Sequence, residues 1–267
     1  AKDAARYFEA YRRAILAIGA GGPYPDVFAA PSISVKLSAL HPRYERAKRA
    51  RVMAELAPRV LELAQLAKAQ GIGFTIDAEE ADRLELSLKL FARVYRHPDV
   101  RGWANFGLVV QAYSKRALPA LCWLTRLARE QGDLIPLRLV KGAYWDSEIK
   151  LCQQMGVQGY PVFTRKEATD TAYLACARFL LSEHTDGLIY PQFATHNAHT
   201  VTCLLDMAGE RQFEFQRLHG MGDALYDTVI EKTGRPVRIY APVGAHKDLL
   251  PYLVRRLLEN GANSSFV

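Results

Sequence analysis

Eight short β-rich runs, each followed by a segment of helical periodicity, constrain the fold of this chain more than any other feature. They are ISVKLSAL (33 to 40), GFTIDAE (73 to 79), FGLVVQAY (106 to 113), LIPLRLVKG (134 to 142), PVFT (161 to 164), LIYPQFAT (188 to 195), FEFQRLHG (213 to 220) and VRIYAPVG (237 to 244). Strands that alternate with helices lie parallel and are joined by right-handed crossovers. Eight of them predict a closed α/β barrel, and 267 residues is near the usual size of one. Before them, AKDAARYFEAYRRAILAIGA has helical periodicity through Ala5, Phe8, Ile15 and Ile18, and GGPYPDVFAAPS breaks it. Residues 1–30 are therefore expected to be a helix and linker, and residues 31–267 a single barrel. No GxGxxG follows the first run and no GxxxxGK[ST] occurs anywhere, so the two commonest nucleotide-binding α/β folds lose support.

A parallel barrel builds its site at the C-terminal ends of its strands. Polar residues gather there on nearly every run. The first carries Lys36, the second Asp77, the third Gln111 and Tyr113, the fourth Arg138, Lys141, Tyr144 and Trp145. The fifth gives Thr164 and Lys166, the sixth Thr195, His196 and Asn197, the seventh Gln216, Leu218 and His219, the eighth Tyr240. Barrel interiors otherwise favour Val, Ile and Leu, so Lys36, Gln111, Arg138 and Gln216 are costly there unless paired or bound to a ligand. Taken singly, each has a structural reading: Lys36 or Asp77 as half of a buried ion pair, His196 and His219 as satisfied core histidines. Together they describe the mouth of a barrel for a large, polar, anionic ligand. A metal is not expected, because Asp77, Glu79 and Glu80 lack a pair of histidines at ligand spacing and the neighbouring cations repel one.

The last stretch, LLPYLVRRLLENG (249 to 261), reads as a helix with an apolar stripe of Leu250, Leu253, Val254 and Leu257. A second stripe holds Tyr252, Arg255, Arg256 and Glu259. Such a stripe is ordinarily a solvated face, yet adjacent guanidinium groups also match the oxygens of a carboxylate or phosphate.

Composition excludes more than it selects. At 49% hydrophobic and 24% charged the chain is ordinary for a globular protein, and no uncharged apolar run approaches a membrane span. The net charge of +7 suits anionic ligands or an acidic membrane surface; the one basic cluster, RYERAKRAR (43 to 51), reads first as a solvated helix start, with a nucleic-acid-binding arm as the alternative. Four cysteines lie singly in helical segments without CxxC spacing and are expected as buried thiols of a reducing cytoplasm. Ala1 opens directly in a helical pattern without an initiating Met, so the chain is expected to be a piece of a longer protein.

SVKLSALHPRYE, IDAEEADRLELSL, RLVKGAYWDSEIK, GYPVFTRKEATD, YPQFATHNAHT, LHGMGDALY and IYAPVGAHKDLLPYLVRRLLENGANSSFV occur in this order. Together they resemble the proline dehydrogenase domain of the bacterial bifunctional proline utilisation flavoenzymes, from about residue 5 to the end. The resemblance implies a distorted (β/α)8 TIM-like barrel with the eighth helix over its mouth. It implies FAD held non-covalently, and L-proline oxidised to Δ1-pyrroline-5-carboxylate with electrons passed to a membrane quinone. A cytoplasmic location, peripheral association of the parent protein with the inner membrane, and an aldehyde dehydrogenase domain in that parent follow from it. No ribbon-helix-helix segment is legible, so no nucleic acid is expected as a partner.

Residue by residue, Arg255 and Arg256 match the pair that clamps the proline carboxylate, and Lys36 the lysine that supports it. Tyr240, Tyr252 and Leu218 match the walls of the proline ring, Asp77 lines the same pocket, and Tyr144 falls at a gating position. For the flavin, Arg138 matches the arginine near N5 and Gln111 the side chain facing the ring edge. Lys141, Gly142, Ala143, Trp145, Thr164, Lys166, Thr195, His196 and Asn197 match the pyrophosphate and adenine side, and Gln216 and Glu259 further cofactor contacts. The alternative on the same fold is a phosphate-binding lyase or isomerase that uses Lys36 or Lys141 as a Schiff-base or general-base lysine. From another class, a non-catalytic anion-binding module would turn the paired arginines toward a protein partner.

Overall fold

The computed structural model describes residues 2–26, 28–244, 249, 250 and 254. Seven parallel strands follow one another in chain order: β1 (Ser32–Val35), β2 (Gly73–Ile76), β3 (Phe106–Gln111), β4 (Ile135–Val140), β5 (Ile189–Ala194), β6 (Glu214–Leu218) and β7 (Val237–Tyr240). Nine α-helices are described among them: α1 (Lys2–Gly19), α2 (Leu37–Leu40), α3 (Arg49–Ala69), α4 (Leu84–Tyr95), α5 (Ala117–Gln131), α6 (Trp145–Gln154), α7 (Lys166–Leu181), α8 (Ala198–Ala208) and α9 (Asp223–Thr233). Residues β2 to β5 are buried along nearly their whole length, as expected of parallel strands covered on both faces. Aromatics of the sheet, on β3 and β6, meet the helices. Phe106 stacks on Phe74 and on Phe91 of α4, and Phe215 meets Tyr226 of α9.

The opening helix belongs to this same core rather than standing apart. Ala4, Phe8, Tyr11, Ile15 and Ile18 repeat at three- and four-residue spacing; Ile15 is fully buried, and Phe8, Tyr11 and Ile18 pack around it. Helix α5 stops where Gly132 takes the left-handed conformation and its N–H bonds to Ala128 O.

The sheet curls until its inner faces meet. Arg138 of β4 donates to Ser34 Oγ on β1 and, at 3.1 Å, to Asp77 just beyond β2; Tyr240 of β7 reaches the same carboxylate. Among the described residues no ladder joins β7 to β1. Arg238 spans that seam at its lower end instead, donating to the carbonyls of Phe28 and Ala30 ahead of β1 while pairing with Glu214 of β6.

Among the described residues seven strands stand where eight were expected, because PVFT (161 to 164) does not enter the sheet. β4 pairs directly with β5. The run makes one antiparallel bridge, Val162 to Ser114, and trades backbone hydrogen bonds with the loop after β3. Its brevity and Pro161, which has no N–H to donate, leave it short of a ladder. The basic cluster at 43 to 51 does begin a helix, through a 3₁₀ turn at Arg46–Lys48 that leads into α3. Of the final helix expected at 249 to 261, only residues 249, 250 and 254 are described, and these are helical; the rest of it, and with it any cover over the mouth, lies outside the described residues. No helix among the described residues is long and apolar enough to cross a membrane. Of the cysteines, Cys152 and Cys176 are buried, but Cys203 is half-buried and Cys122 exposed on the outer side of α5, so the expectation of four buried thiols fails there.

Candidate active site

Among the described residues the strand tips line a pocket that opens to solvent at its mouth. The tip of β1 delivers Lys36. Its backbone N–H donates to the Tyr11 hydroxyl oxygen at 3.1 Å, and its ammonium donates to Tyr144 OH at 3.0 Å and lies over the Tyr144 ring. Burial pushes the Tyr11 phenol up to about 12, so it stays a neutral hydroxyl. Asp77 sits where β2 ends, its N–H held by Val35 O. One oxygen accepts from Arg138 at 3.1 Å and the other from Tyr240 OH at 3.3 Å, while the Arg138 guanidinium lies 4.8 Å from the Tyr240 ring centroid. Arg138 is 8% exposed, and its Nε is buried without a partner. A buried N–H on a cation is expensive to leave unsatisfied, and this one stands among residues lining the pocket.

Gln111, at the end of β3, is clamped between two loops. Its Nε2 donates to Glu79 O at 2.8 Å and its Oε1 accepts from Ala143 N at 3.1 Å. The Lys141–Tyr144 loop lies flat on the Tyr113 ring because residue 142 is glycine. Its φ is 149°, and a Cβ there would stand 2.4 Å from ring atoms. Lys141 and Lys166 share Asp170, one on each carboxylate oxygen. Burial works to raise the Asp170 pKa, but the hydrogen bonds from the two lysines overcome it and hold the group below the usual carboxylate range.

Beyond β5, the Thr195 carbonyl accepts from Tyr226 OH at 2.6 Å, and Asn197 caps α8 by accepting from Thr200 N at 2.9 Å. His196 Nε2 accepts the Leu218 N–H at 3.1 Å. Burial, and secondarily Arg217, lowers the His196 pKa; the neutral ring therefore carries its proton on Nδ1. Gln216 is buried and donates to Glu214 at 2.7 Å.

Thus Lys36, Asp77, Gln111, Arg138, Lys141, Ala143 and Tyr144 line one pocket with Thr195, His196, Asn197, Gln216, Leu218 and Tyr240. Four expected contacts do not line it. Trp145 is partly exposed and donates its indole N–H to Phe163 O; Thr164 is exposed in the loop that failed to become a strand. Lys166 reaches the site through Asp170, and Gly142 serves the loop's approach to Tyr113. His219 is exposed rather than a core histidine. Tyr252, Arg255, Arg256 and Glu259 lie outside the described residues. Sequence reasoning missed the partners: Ser34, Asp170 and Glu214. The i,i+4 spacing of Lys166 and Asp170, and the alternation that puts Glu214 on the same face as Gln216, were the available signals. No group of three or more His, Cys, Asp or Glu side chains poised for a metal occurs among the described residues.

Parallel strands, outer helices and a polar pocket at the C-terminal tips define an α/β barrel of the class that works at its upper face. Known structures share it. A mutant proline utilization A (PutA) from Bradyrhizobium japonicum is 57% identical with a TM-score of 0.95, over 100% of this chain and 28% of that one. PutA from Bdellovibrio bacteriovorus, inactivated by N-propargylglycine, is 32% identical with a TM-score of 0.91, over 99% and 29%. Bifunctional protein PutA of Klebsiella aerogenes is 54% identical over 276 residues, covering 100% of this chain and 21% of that protein. Human mitochondrial proline dehydrogenase 1 is 29% identical over 218 residues, 79% of this chain and 36% of that one. The proline dehydrogenase family matches residues 1–267, and the chain belongs to that family. It spans about a fifth of the length of the bacterial PutA relatives.

Proposed function

We propose that this chain is the domain that oxidises L-proline to Δ1-pyrroline-5-carboxylate with FAD, passing the electrons to a membrane quinone. Its parent then works in the cytoplasm at the inner membrane and carries an aldehyde dehydrogenase domain for the product. The observation that carries the reading is the buried, unpartnered Nε of Arg138 beside the pocket at the strand tips, in a chain whose whole length matches the family.

The pocket fits a flavin dinucleotide by its chemistry. Val109, Val140, Ala194 and Leu218 offer apolar wall for a flat ring. The capped N-terminus of α8 and the two lysines on Asp170 offer donors and positive charge for a diphosphate. When bound, FAD would supply the acceptor for the hydride that leaves proline C5. The protein's own residues bind and orient. Lys36, with Arg255 and Arg256 from the last stretch, holds the substrate carboxylate; Tyr240, Tyr252 and Leu218 wall its ring; Tyr144 guards entry. Arg138 and Gln111 would stand beside the cofactor ring, where the cation would favour negative charge on it. Ala143, Thr195, His196, Asn197 and Gln216 would line the cofactor's side of the pocket, joined by Glu259 of the last stretch, while Gly142, Trp145 and Thr164 would act from the loops beside it. The amine proton passes to solvent.

An anaerobic titration with L-proline, followed optically, tests this. The expected result is a yellow protein whose flavin absorbance is bleached. A colourless protein that borohydride traps with a keto-phosphate would instead establish a lysine-dependent lyase.

A further inference from the structure

Four of the loops around the pocket are joined by hydrogen bonds into a closed ring. Lys36 Nζ, after β1, donates to Tyr144 OH, after β4, at 3.0 Å. Beside Tyr144, the Ala143 N–H donates to Gln111 Oε1 at the end of β3, 3.1 Å away. Gln111 Nε2 donates to the Glu79 carbonyl, after β2, at 2.8 Å. Glu79 Oε1 then accepts the N–H of Ser38 at 3.0 Å, two residues from Lys36, and the ring is complete.

Glu79 is the member that joins through both backbone and side chain. Its side chain is 6% exposed and is not among the residues that line the pocket at the strand tips. We infer that Glu79 is a positioning residue: it fixes the loop from which Lys36 projects, and so sets where that cation meets the substrate carboxylate. This rests on the proline reading above. At its start the segment is also held by the Tyr11 hydroxyl on the Lys36 N–H, and at its far end by Arg59 on Leu40 O, so Glu79 is the brace that meets it at Ser38, between the two. A displacement of the order of 1 Å at a charged contact changes substrate binding strongly while leaving the cofactor in place.

Glu79 has a competing, purely structural duty, since its Oε2 also accepts from Arg83 at 3.2 Å. Arg83 does not depend on it, being paired with Glu80 at 3.1 Å and seated over the Tyr44 ring. Two conservative substitutions separate the duties. Glu79→Asp keeps the charge but withdraws the carboxylate by one methylene, about 1.5 Å, which takes the 3.0 Å bond out of range. Glu79→Gln keeps the reach and an acceptor oxygen while losing the charge.

The experiment measures KM and kcat for L-proline, flavin content, and the dissociation constant of tetrahydrofuroic acid from the flavin spectrum. Glu79→Asp is expected to raise KM and that dissociation constant about tenfold, with kcat within about twofold and flavin content unchanged. Glu79→Gln is expected to stay within about twofold of the unsubstituted protein in all of them. The inference is overturned if Glu79→Asp leaves KM unchanged, if Glu79→Gln raises it as much, or if Glu79→Asp sheds flavin as KM rises. Failure of the proline reading shows separately, in an unsubstituted protein whose flavin L-proline leaves oxidised, and takes this inference with it.

Discussion

The barrel holds two buried polar clusters, one at the seam below and one at the mouth above, and they are finished differently. At the seam, Glu214 accepts from Gln192, Gln216 and Arg238, and Arg238 spends its remaining donors on Phe28 O and Ala30 O. Burial opposes the charge on Arg238, but the hydrogen bond and charge of Glu214 outweigh it and raise its pKa. At the mouth, Arg138 has Asp77 and Ser34 yet keeps a buried Nε with no partner. A cluster satisfied from within holds a fold together; one left incomplete beside an open pocket is built for something that arrives.

The sharpest way to break this comparison is to cut the seam. Arg238→Met leaves the Glu214 carboxylate buried without its cation and is expected to cost about 3–5 kcal/mol of stability, read from denaturant unfolding. The flavin of the protein that remains folded should still be bleached by L-proline. Cutting the mouth should do the reverse. Arg255→Met and Arg256→Met are each expected to weaken substrate binding by about 1.5–3 kcal/mol, seen as a large rise in KM with flavin still bound and the unfolding midpoint little changed. An unchanged KM would return those arginines to a solvated face or a partner surface.

The smallest effect sharpens the boundary between the clusters. His196 is kept neutral by burial and by Arg217, so its folded pKa lies below the unfolded value of about 6.5. Below that value the unfolded chain binds more protons, and stability contributed by the neutral ring falls as pH drops through the window. His196→Gln, which keeps an acceptor for the Leu218 N–H, should therefore lose less in thermal midpoint between pH 7.5 and 5.5 than the unsubstituted protein.

Much of this was legible in residue order. The alternation of β-rich and helical runs foretold the parallel sheet, and the rule that strand ends carry the chemistry assembled Lys36, Asp77, Gln111, Arg138 and Tyr240 before any contact was seen. The run at 161 to 164 misled because composition records β preference, whereas membership of a sheet depends on a neighbouring strand with free donors and acceptors. Partners were harder than participants. Asp170 and Ser34 are ordinary residues on ordinary elements, and only the curl of the sheet and the packing of α7 bring them to Lys141 and Arg138. Gln216 adds a second bond to its expected place: it lines the pocket while its amide nitrogen donates to Glu214.

The reduction potential of the bound flavin tests the difference between mouth and seam most directly. Replacing Arg138 by Met should lower that potential by about 30 mV or more, the equivalent of roughly 1.4 kcal/mol for two electrons, because a cation beside the reduced ring is lost. Replacing Arg238 by Met should leave it where it was. Equal potentials in the Arg138 variant and the unsubstituted protein would contradict the account, since the unfilled guanidinium at the mouth would then have no electrostatic part in what the pocket holds.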